Sequence, residues 1–573
     1  MTIRDLVIKR LETNPLASSI EWLTYPHGTV HRETASWQDI AGQACRLAQV
    51  LRTSSRGPGE RAVIMLPTSR AYWLSFIACT LGGVIAVPLF APTPAKSDRS
   101  RVDAILHSCK PRFILTNQTS LAEAGTYVGH DTLILDAEAL MGEPSDDTDI
   151  QRCLASAGER PDDILYLQYT SGSTSRPSGA MITHSAFEFN VRQSCAGLDI
   201  TPDNRVVSWL PIHHDMGLIF ALGLGVMVGL PTTCMSPESF LRRPSRWIRE
   251  LDCPEPAITG SPNFAYEYVL QRGVGKDYDD LDLSRIHWLL NGSEPVRPST
   301  IQKFEEALAP YGLPAGSVRP SFGMAEATVF VSCTSRLKVH AASRDGLSEG
   351  YLKPPRNKTD SVDLVSCGPI AEGTEYQVVN PTTLETLPQE RVGELWLRGP
   401  NIAQGYWQDN DHTEQAFQSL PEDNGGPWLR TGDLVMMIDD DLHIVGRLKA
   451  MLIIDGRNQY SEDLEHTVQQ VDPRIRPGRV AVVSHDTGET EVPLIIAERR
   501  SLTEEDDNKL SSLIRSALTT HHGLTSAIVA LVPPGFIPLT TSGKIQRPLA
   551  RDKWYACEAE NPRALSAQTL QFR

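Results

Sequence analysis

Runs of apolar, often β-branched residues recur along the chain: Ala62-Val63-Ile64-Met65-Leu66, Phe113-Ile114-Leu115, Thr132-Leu133-Ile134-Leu135, Val206-Val207-Ser208-Trp209-Leu210 and His287-Trp288-Leu289-Leu290. Helical patterns separate them. A strand that is apolar on both faces needs cover on both, so the alternation predicts mostly parallel sheets wrapped by helices. Met1 to Asn14 alternates charged and apolar residues at helical spacing. It predicts an ordinary first helix rather than a signal peptide, because it lacks a long apolar stretch and a small-residue cleavage site. Around residues 365 to 440, Tyr376-Gln-Val-Val379, Gly393-Glu-Leu-Trp-Leu397 and Leu434-Val-Met-Met437 alternate as antiparallel strands do and predict a barrel-like subdomain. After Gly446-Arg447 the texture shortens to a helix from Ser461 to about Gln470, strands near Arg479 to Val483 and Leu494 to Ala497, a helix from Glu504 to about His521 and a strand at Ala527 to Leu531. The fold class expected is α/β. Residues 1–447 form a large N-terminal domain of doubly wound α/β subdomains plus the barrel-like one, and 448–573 a small mobile α+β C-terminal domain.

Two uncharged stretches, Ala71 to Ala91 and Met216 to Pro237, approach the length of a membrane span. Gly82-Gly83 and Pro88 break the first, and Gly217, Gly223, Gly225, Gly229 and Pro231 break the second, so both are expected to be buried core elements without stable membrane insertion. Polar, Gly/Pro-rich stretches near 142–148, 335–360 and 420–427 are expected to be loops or insertions.

Lys and Arg number 54 against 70 Asp and Glu, a formal net charge of −16. That sign argues against a general nucleic-acid or anionic-membrane binder, while leaving room for a local basic groove. The 10 cysteines are scattered, with no C-x-x-C and no Cys/His cluster. Neither zinc nor a disulfide framework is indicated, and a reducing, cytoplasmic compartment is expected.

Candidate chemistry begins at Tyr166-Leu-Gln-Tyr-Thr170-Ser171-Gly172-Ser173-Thr174-Ser175-Arg176-Pro177-Ser178-Gly179. A loop of small hydroxyl residues and glycines after a strand can wrap phosphate oxygens with backbone N–H groups. It is not a Walker A loop, and alone it is more often a flexible turn. Five further segments follow in order: Trp209-Leu-Pro-Ile-His213-His214-Asp215-Met216-Gly217, Asn291-Gly292-Ser293-Glu294-Pro295-Val296, Ser321-Phe322-Gly323-Met324-Ala325-Glu326-Ala327-Thr328, Leu429-Arg430-Thr431-Gly432-Asp433-Leu434 and Pro538-Leu-Thr-Thr-Ser542-Gly543-Lys544-Ile-Gln-Arg547. The ordered set resembles the adenylate-forming superfamily over nearly the whole chain, and within it the fatty acyl-AMP ligases.

The resemblance implies ATP and Mg²⁺, and a fatty acid joined to AMP with release of pyrophosphate. Glu326 is the implied Mg²⁺ ligand, a hard carboxylate for a hard cation; the other reading is an ion-paired or solvated helix-start Glu. Thr170, Ser171, Gly172, Ser173 and Thr174 are implied to hold the β- and γ-phosphates, and Thr328 to lie near the metal and α-phosphate. Ser321, Phe322, Gly323, Met324 and Ala325 on one side, and Gly292, Ser293 and Glu294 on the other, are expected to line the base pocket. Phe322 either stacks on adenine or belongs to the core. Asp433 is expected to accept from both ribose hydroxyls, although an Asp after Thr-Gly is commonly a turn residue. Arg447 is a second ribose or phosphate contact. Lys544 is expected to bridge the substrate carboxylate and α-phosphate, the principal catalytic role. His214, with Asp215, Met216 and Gly217, is expected to form the path of the acyl carboxylate; the role of His213 is not legible.

Three details point within the superfamily to fatty acyl-AMP ligases. Ser178 stands where acyl-CoA synthetases commonly carry Lys. The wordings Asn-Gly-Ser-Glu-Pro-Val-Arg and Phe-Gly-Met-Ala-Glu-Ala-Thr are typical of the subgroup. The polar stretch from about Ser335 to Val365 sits where that subgroup carries an insertion thought to restrict the small domain and disfavour coenzyme A; it is otherwise a long surface loop. The partner so implied is an acyl carrier protein, which takes the acyl group on its phosphopantetheine thiol. An acyl-CoA synthetase and a non-catalytic nucleotide-binding protein are the alternatives. Acyl chain length is not legible.

Overall fold

The structure is a computed structural model; it describes residues 1–560 apart from 93–95, 128–130, 143–146, 156–158, 171–176, 274–277, 279, 419–425, 455–456, 488–490, 501–503 and 541–542. Its contacts divide the chain into two compact units. The first comprises Met1–Leu337, Cys367–Glu375 and Leu397–Leu429, and the second Lys338–Ser366, Tyr376–Trp396 and Arg430–Arg573. The boundary expected between 447 and 448 therefore runs inside the second unit. The reason is packing: Ala342, Leu347 and Leu364 bury themselves with Leu434, Met436, Ile438 and Tyr460 in one cluster.

The first unit holds two large sheets. One has the strand order Leu133–Asp136, Phe113–Thr116, Arg61–Met65, Ile85–Leu89, Ile164–Thr170, Ser178–Thr183. All neighbours are parallel except the last pair, in which Thr170 faces Ser178. The other runs Phe330–Cys333, Val318–Gly323, Ile286–Gly292, Ala257–Pro262, Arg205–Ser208, Thr232–Met235, Ser18–Thr24, His31–Ser36, parallel inside and antiparallel at both ends. Strands such as Ala257–Pro262 are buried at every position, as the continuous apolar runs require. Helix Arg70–Leu81 is buried from Ala71 to Leu81, which explains why its sequence resembles a membrane span; among the described residues no helix is long and apolar enough to cross a membrane. The first helix, Ile3–Thr13, begins at a Thr2/Asp5 capping box.

In the second unit, Ile475–Asp486 pairs antiparallel with Glu491–Arg499, which pairs parallel with Ile528–Val532. Leu464, Val468, Leu510, Ile514 and Leu518 cover one face from helices Ser461–Val471 and Glu504–His522, while Ala550 and Trp554 of helix Arg547–Glu560 cover the other. A five-stranded sheet, drawn from segments of both units, comprises Glu375–Val379, Gly393–Arg398, Phe417–Gln418, Trp428–Ile438 and Asp441–Arg447, with Trp428–Ile438 antiparallel to both Phe417–Gln418 and Asp441–Arg447. The stretch expected as a polar insertion at 335–360 is more ordered than that expectation. Val339–Ser343 and Ser361–Val365 pair antiparallel around the short helix Arg344–Ser348, because scattered apolar residues find partners distant in sequence.

Candidate active site

In the first unit the carboxyl ends of the parallel strands lead into the segments that carry His214, Ser293 and Glu326, the usual place for ligands in open α/β sheets. Strand Ile286–Gly292 ends against Val318–Gly323: a Cβ on Gly292 would lie 2.6 Å from Ser321 Oγ, so only glycine permits this approach. Ser293 follows at φ 65° and donates its hydroxyl to Met216 Sδ at 3.4 Å. Glu294 Oε1 accepts from the Phe264 backbone N–H at 2.5 Å, at the start of helix Asn263–Arg272, where Pro262 supplies no side-chain cap. The Glu294 carboxylate thus serves this helix terminus.

Beyond Val318–Gly323 the chain reverses tightly. A Cβ on Gly323 would fall 1.8 Å from the Val329 carbonyl oxygen, and Met324 N–H donates to that same oxygen at 2.9 Å. Ala325 and Glu326 lie in the single turn Ala325–Ala327, and Thr328 takes φ 66°. Thr328 is fully buried and donates its hydroxyl to the Asn401 carbonyl at 2.8 Å, so here it stabilises the turn. Phe322 is half-buried. Glu326 is also half-buried; its backbone carbonyl accepts from Ala403 N–H at 2.8 Å and its Oε1 from the Tyr406 hydroxyl at 3.0 Å. Burial and the Glu326 charge push the Tyr406 phenol far above its ordinary pKa, so it remains a donor. Glu326 offers a hard carboxylate oxygen of the kind Mg²⁺ takes, with phosphate and water completing such a shell.

His214 precedes a helix that runs from Asp215 through a π-turn, Leu218–Gly223, to Val228. π-turns are concentrated at functional sites. His214 Nδ1 lies 2.7 Å from Asp215 Oδ1, which also accepts from Met216 N–H at 2.7 Å. Gly217 crosses Pro211 so closely that a Cβ would meet its carbonyl oxygen at 2.1 Å. Met216 is buried, with Cε 2.6 Å from the position a Cβ on Gly260 would take. His213 packs edge-on against Phe90, and its carbonyl accepts from the Gln168 side chain at 3.1 Å. Burial, reinforced by His214 and Arg101, lowers its pKa to about 3, so the ring is neutral. Ser171, Gly172, Ser173 and Thr174 lie outside the described residues, as does the side chain of Thr170.

Asp433, Arg447 and Lys544 belong to the second unit. Asp433 is 2% exposed; Arg447 Nε lies 2.8 Å from its Oδ1, and its Oδ2 is buried without a hydrogen-bond partner among the described residues. Burial raises the Asp433 pKa, and the charges of Arg447 and Lys544 oppose the rise. An orphaned carboxylate oxygen costs stability unless something donates to it, and a ribose hydroxyl fits that need. Glu394 fixes the preceding backbone. Its carboxylate accepts from Arg430 Nη2 at 2.8 Å, Trp396 Nε1 at 2.9 Å and Gly432 N–H at 3.2 Å, while Gly432 adopts φ 70°. Lys544 sits in a hairpin in which its N–H donates to Thr540 Oγ1 at 3.0 Å and its carbonyl accepts from Thr540 N–H at 2.7 Å.

The sequence reading did not single out Glu394, Tyr406 or His412. Gly405-Tyr406-Trp407, an aromatic pair after a glycine in a polar stretch, is the signal that would have found one of them.

Residues 20–407 match the family described as AMP-binding enzyme, and residues 449–562 match the AMP domain described as Disco-interacting protein 2-like. The chain is 35% identical to the long-chain-fatty-acid–AMP ligase FadD26 of Mycobacterium marinum over 95% of this chain and 96% of the relative. It is 36% identical to the putative fatty-acid–CoA ligase fadD25 of Mycobacterium tuberculosis over 90% and 91%. A solved chain from structural and functional studies of fatty acyl-adenylate ligases of E. coli and L. pneumophila superposes with a TM-score of 0.86 at 27% identity, covering 98% of this chain and 99% of that one. With the family match across the strand ends that carry Glu326 and His214, and relatives aligned over nearly their whole length, the chain belongs to the AMP-binding enzyme family.

Proposed function

We propose that this ligase joins a fatty acid to ATP, forming fatty acyl-AMP and pyrophosphate, and then passes the acyl group to the phosphopantetheine thiol of an acyl carrier protein. The buried, partnerless Oδ2 of Asp433 carries the nucleotide half of this reading, since it asks for the hydroxyl donor that a ribose brings. The relatives named fatty-acid–AMP ligases support the fatty acid. In the first step a carboxylate oxygen of the fatty acid attacks the α-phosphorus and the bond to the β-phosphate oxygen breaks. Lys544 offsets the charge of the two approaching anions, Asp433 and Arg447 hold the ribose, and His214 with Asp215 to Gly217 borders the carboxylate's path. Glu326 would hold Mg²⁺, which when bound neutralises charge on the phosphate oxygens. In the second step a thiolate attacks the acyl carbon and AMP leaves. For that step the portion after Arg447 turns about a hinge at Leu448–Ala450, so that 448–573 acts as a mobile catalytic domain in the sense of the sequence division.

A second reading, acyl transfer to coenzyme A, draws on the relatives named putative fatty-acid–CoA ligases. Against it stand Ser178 in place of a lysine and the ordered insertion, which is tied to the helix after the hinge by Arg344 and Asp463. Pyrophosphate exchange across a graded fatty-acid series, followed by product analysis with coenzyme A and with a phosphopantetheinylated carrier protein, tests both. Exchange with fatty acids and acylation of the carrier alone is the expected result; rapid acyl-CoA synthesis favours the second reading, and no exchange with any carboxylate overturns both.

A further inference from the structure

The segment Asn401 to Thr413 is a strap joining two parts of the first unit that sequence separates widely. On one side it runs along Ser178–Thr183, the strand leaving the phosphate loop: Trp407 N–H donates to the Gly179 carbonyl at 2.9 Å, Met181 N–H to the Gly405 carbonyl at 2.9 Å and Gln404 N–H to the Met181 carbonyl at 3.0 Å. On the other side it meets the turn bearing Glu326, through Ala403 N–H and Thr328 Oγ1. Two side chains then connect the sides. Tyr406, 6% exposed, donates to Glu326 Oε1 at 3.0 Å, and its ring lies parallel to His412 with centroids 4.0 Å apart and 5° between planes. His412 Nδ1 shares a hydrogen bond of 3.0 Å with Ser178 Oγ, itself 8% exposed.

A carboxylate on a half-buried turn can rotate about its terminal torsion, and a metal ligand that must be aimed each time loses affinity. Groups that hydrogen-bond a ligating carboxylate from behind fix that rotation and are a recognised determinant of metal affinity. Tyr406 is held on three counts: its backbone N–H donates to Thr413 Oγ1 at 2.9 Å, it bridges Ala180, and its ring is stacked. It is therefore a rigid donor. The His412 backbone is anchored by its N–H, which donates to the capping Asp409 Oδ1 at 3.2 Å.

We propose that Tyr406 and His412 are positioning residues that aim the Glu326 carboxylate at the Mg²⁺ of Mg·ATP and couple its orientation to Ser178 at the exit of the phosphate loop. This inference rests on the function proposed above. It gives Ser178 a task that a long, charged lysine side chain at that position would not perform, because a compact hydroxyl fits beneath His412.

The test measures how Mg²⁺ changes protection of the full chain by ATP against thermal unfolding, with EDTA as the metal-free arm, alongside pyrophosphate exchange. Tyr406→Phe keeps the ring and stack but removes the hydroxyl. The Mg²⁺ concentration for half-maximal protection should rise about fivefold or more, with the EDTA value and the KM for fatty acid unchanged. His412→Ala should raise it by about two- to threefold, and Ser178→Thr should stay nearer the wild type than Ser178→Ala. A Tyr406→Phe protein with wild-type Mg²⁺ dependence overturns the inference alone. If Tyr406→Phe lowers ligand-free stability, His412→Ala decides in its place, and an unchanged midpoint there overturns it equally. A wild type without Mg²⁺-dependent ATP protection or exchange overturns the function reading beneath it.

Discussion

Arg344 grips Asp463 with one edge of its guanidinium: Nε lies 2.7 Å and Nη2 2.9 Å from the two carboxylate oxygens. The same Arg344 donates to the carbonyls of Thr359 at 2.8 Å and Ser361 at 2.6 Å, so one side chain stitches the insertion together and fastens it to helix Ser461–Val471. Tyr460 adds a hydroxyl donated to the Leu347 carbonyl at 3.1 Å. Both partners of the ion pair are largely shielded from solvent, where a bidentate pair keeps more of its strength than at an open surface.

If this fastening biases the chain against the geometry that coenzyme A needs, loosening it should release that activity. Arg344→Ala or Asp463→Ala is expected to raise acyl-CoA formation by roughly 5- to 100-fold, the span of a coupling free energy of about 1–3 kcal/mol, with pyrophosphate exchange little changed. Shortening the stretch between Ser335 and Val365 should act in the same direction. Chromatographic measurement of acyl-CoA checks this; no rise in any of the three proteins refutes the restraint.

Lys544→Ala should lower pyrophosphate exchange by about 100-fold or more, the loss expected when one preorganised charged contact to the transition state disappears. Transfer from preformed acyl adenylate should suffer less, since the charge build-up that Lys544 offsets belongs to the first step. Single-turnover assays of each half-reaction distinguish the two, and unchanged exchange removes Lys544 from its role.

Asp433→Ala is expected to raise the KM for ATP with a smaller effect on kcat, because the ribose diol is unaltered in the reaction and its contacts stabilise ground and transition states alike. Removing this carboxylate also relieves a buried, half-satisfied charge, so the ligand-free protein should lose little stability. Steady-state kinetics with ATP varied, paired with a melting curve, read both effects. Normal KM with lost turnover would move Asp433 into the chemistry.

What the sequence revealed depended on how far apart the cooperating residues stand. Ala62 to Leu66 is apolar on both faces, and the strand it forms, Arg61–Met65, lies within a residue of the expected span. The insertion behaves differently: its apolar residues are few and interrupted by polar ones, and Ala342, Leu347 and Leu364 bury themselves against Leu434, Met436 and Tyr460, which lie far off in sequence. The same packing gathers Lys338–Ser366 and Arg430–Arg573 into one compact unit. Glu326 and Asp433 could be picked out because each lies inside a compact motif. Glu394 and Tyr406 could not, since the one acts on Arg430, 36 positions away, and the other on Glu326, 80 positions away. His412 meets Ser178 across 234 positions, and no local pattern encodes such a pair.

Acid should weaken the fold. His184 and His443 are buried, as is the side chain of His522, and burial lowers the pKa of each from 6.5 to about 4. The unfolded chain then binds more protons than the folded one between about pH 6.5 and 4, so stability is full above that window and falls as pH drops through it. At pH 5 each such histidine costs about 2 kcal/mol by this linkage. Apparent melting temperatures should therefore fall steadily from pH 7.5 to 5, and His443→Gln should flatten part of the slope. A melting temperature independent of pH in this range would show that these rings are already accessible to protons in the folded state.

Arg547 shows how the backbone three residues from Lys544 is held. Its Nε and Nη2 meet the two oxygens of Glu465 at 2.6 and 2.8 Å, and Nη2 also lies 2.9 Å from Glu462 Oε1. Glu465 is 6% exposed and accepts from Val482 N–H at 3.0 Å, so the loop bearing Lys544 is anchored to the core of its own sheet. Burial opposes the charge of both partners, yet the two acidic groups hold the Arg547 pKa above its ordinary value. Arg547→Ala leaves Glu465 buried without its counter-ion, and such a loss costs about 3–5 kcal/mol. A lowered melting temperature is therefore expected, together with weak pyrophosphate exchange. The double variant Arg547→Met with Glu465→Leu removes the stranded charge and should recover much of the stability, as apolar replacements of buried ion pairs do. If the pair also aims Lys544, exchange remains depressed in that recovered protein. Exchange that returns in step with the melting temperature would instead limit the pair to stability alone.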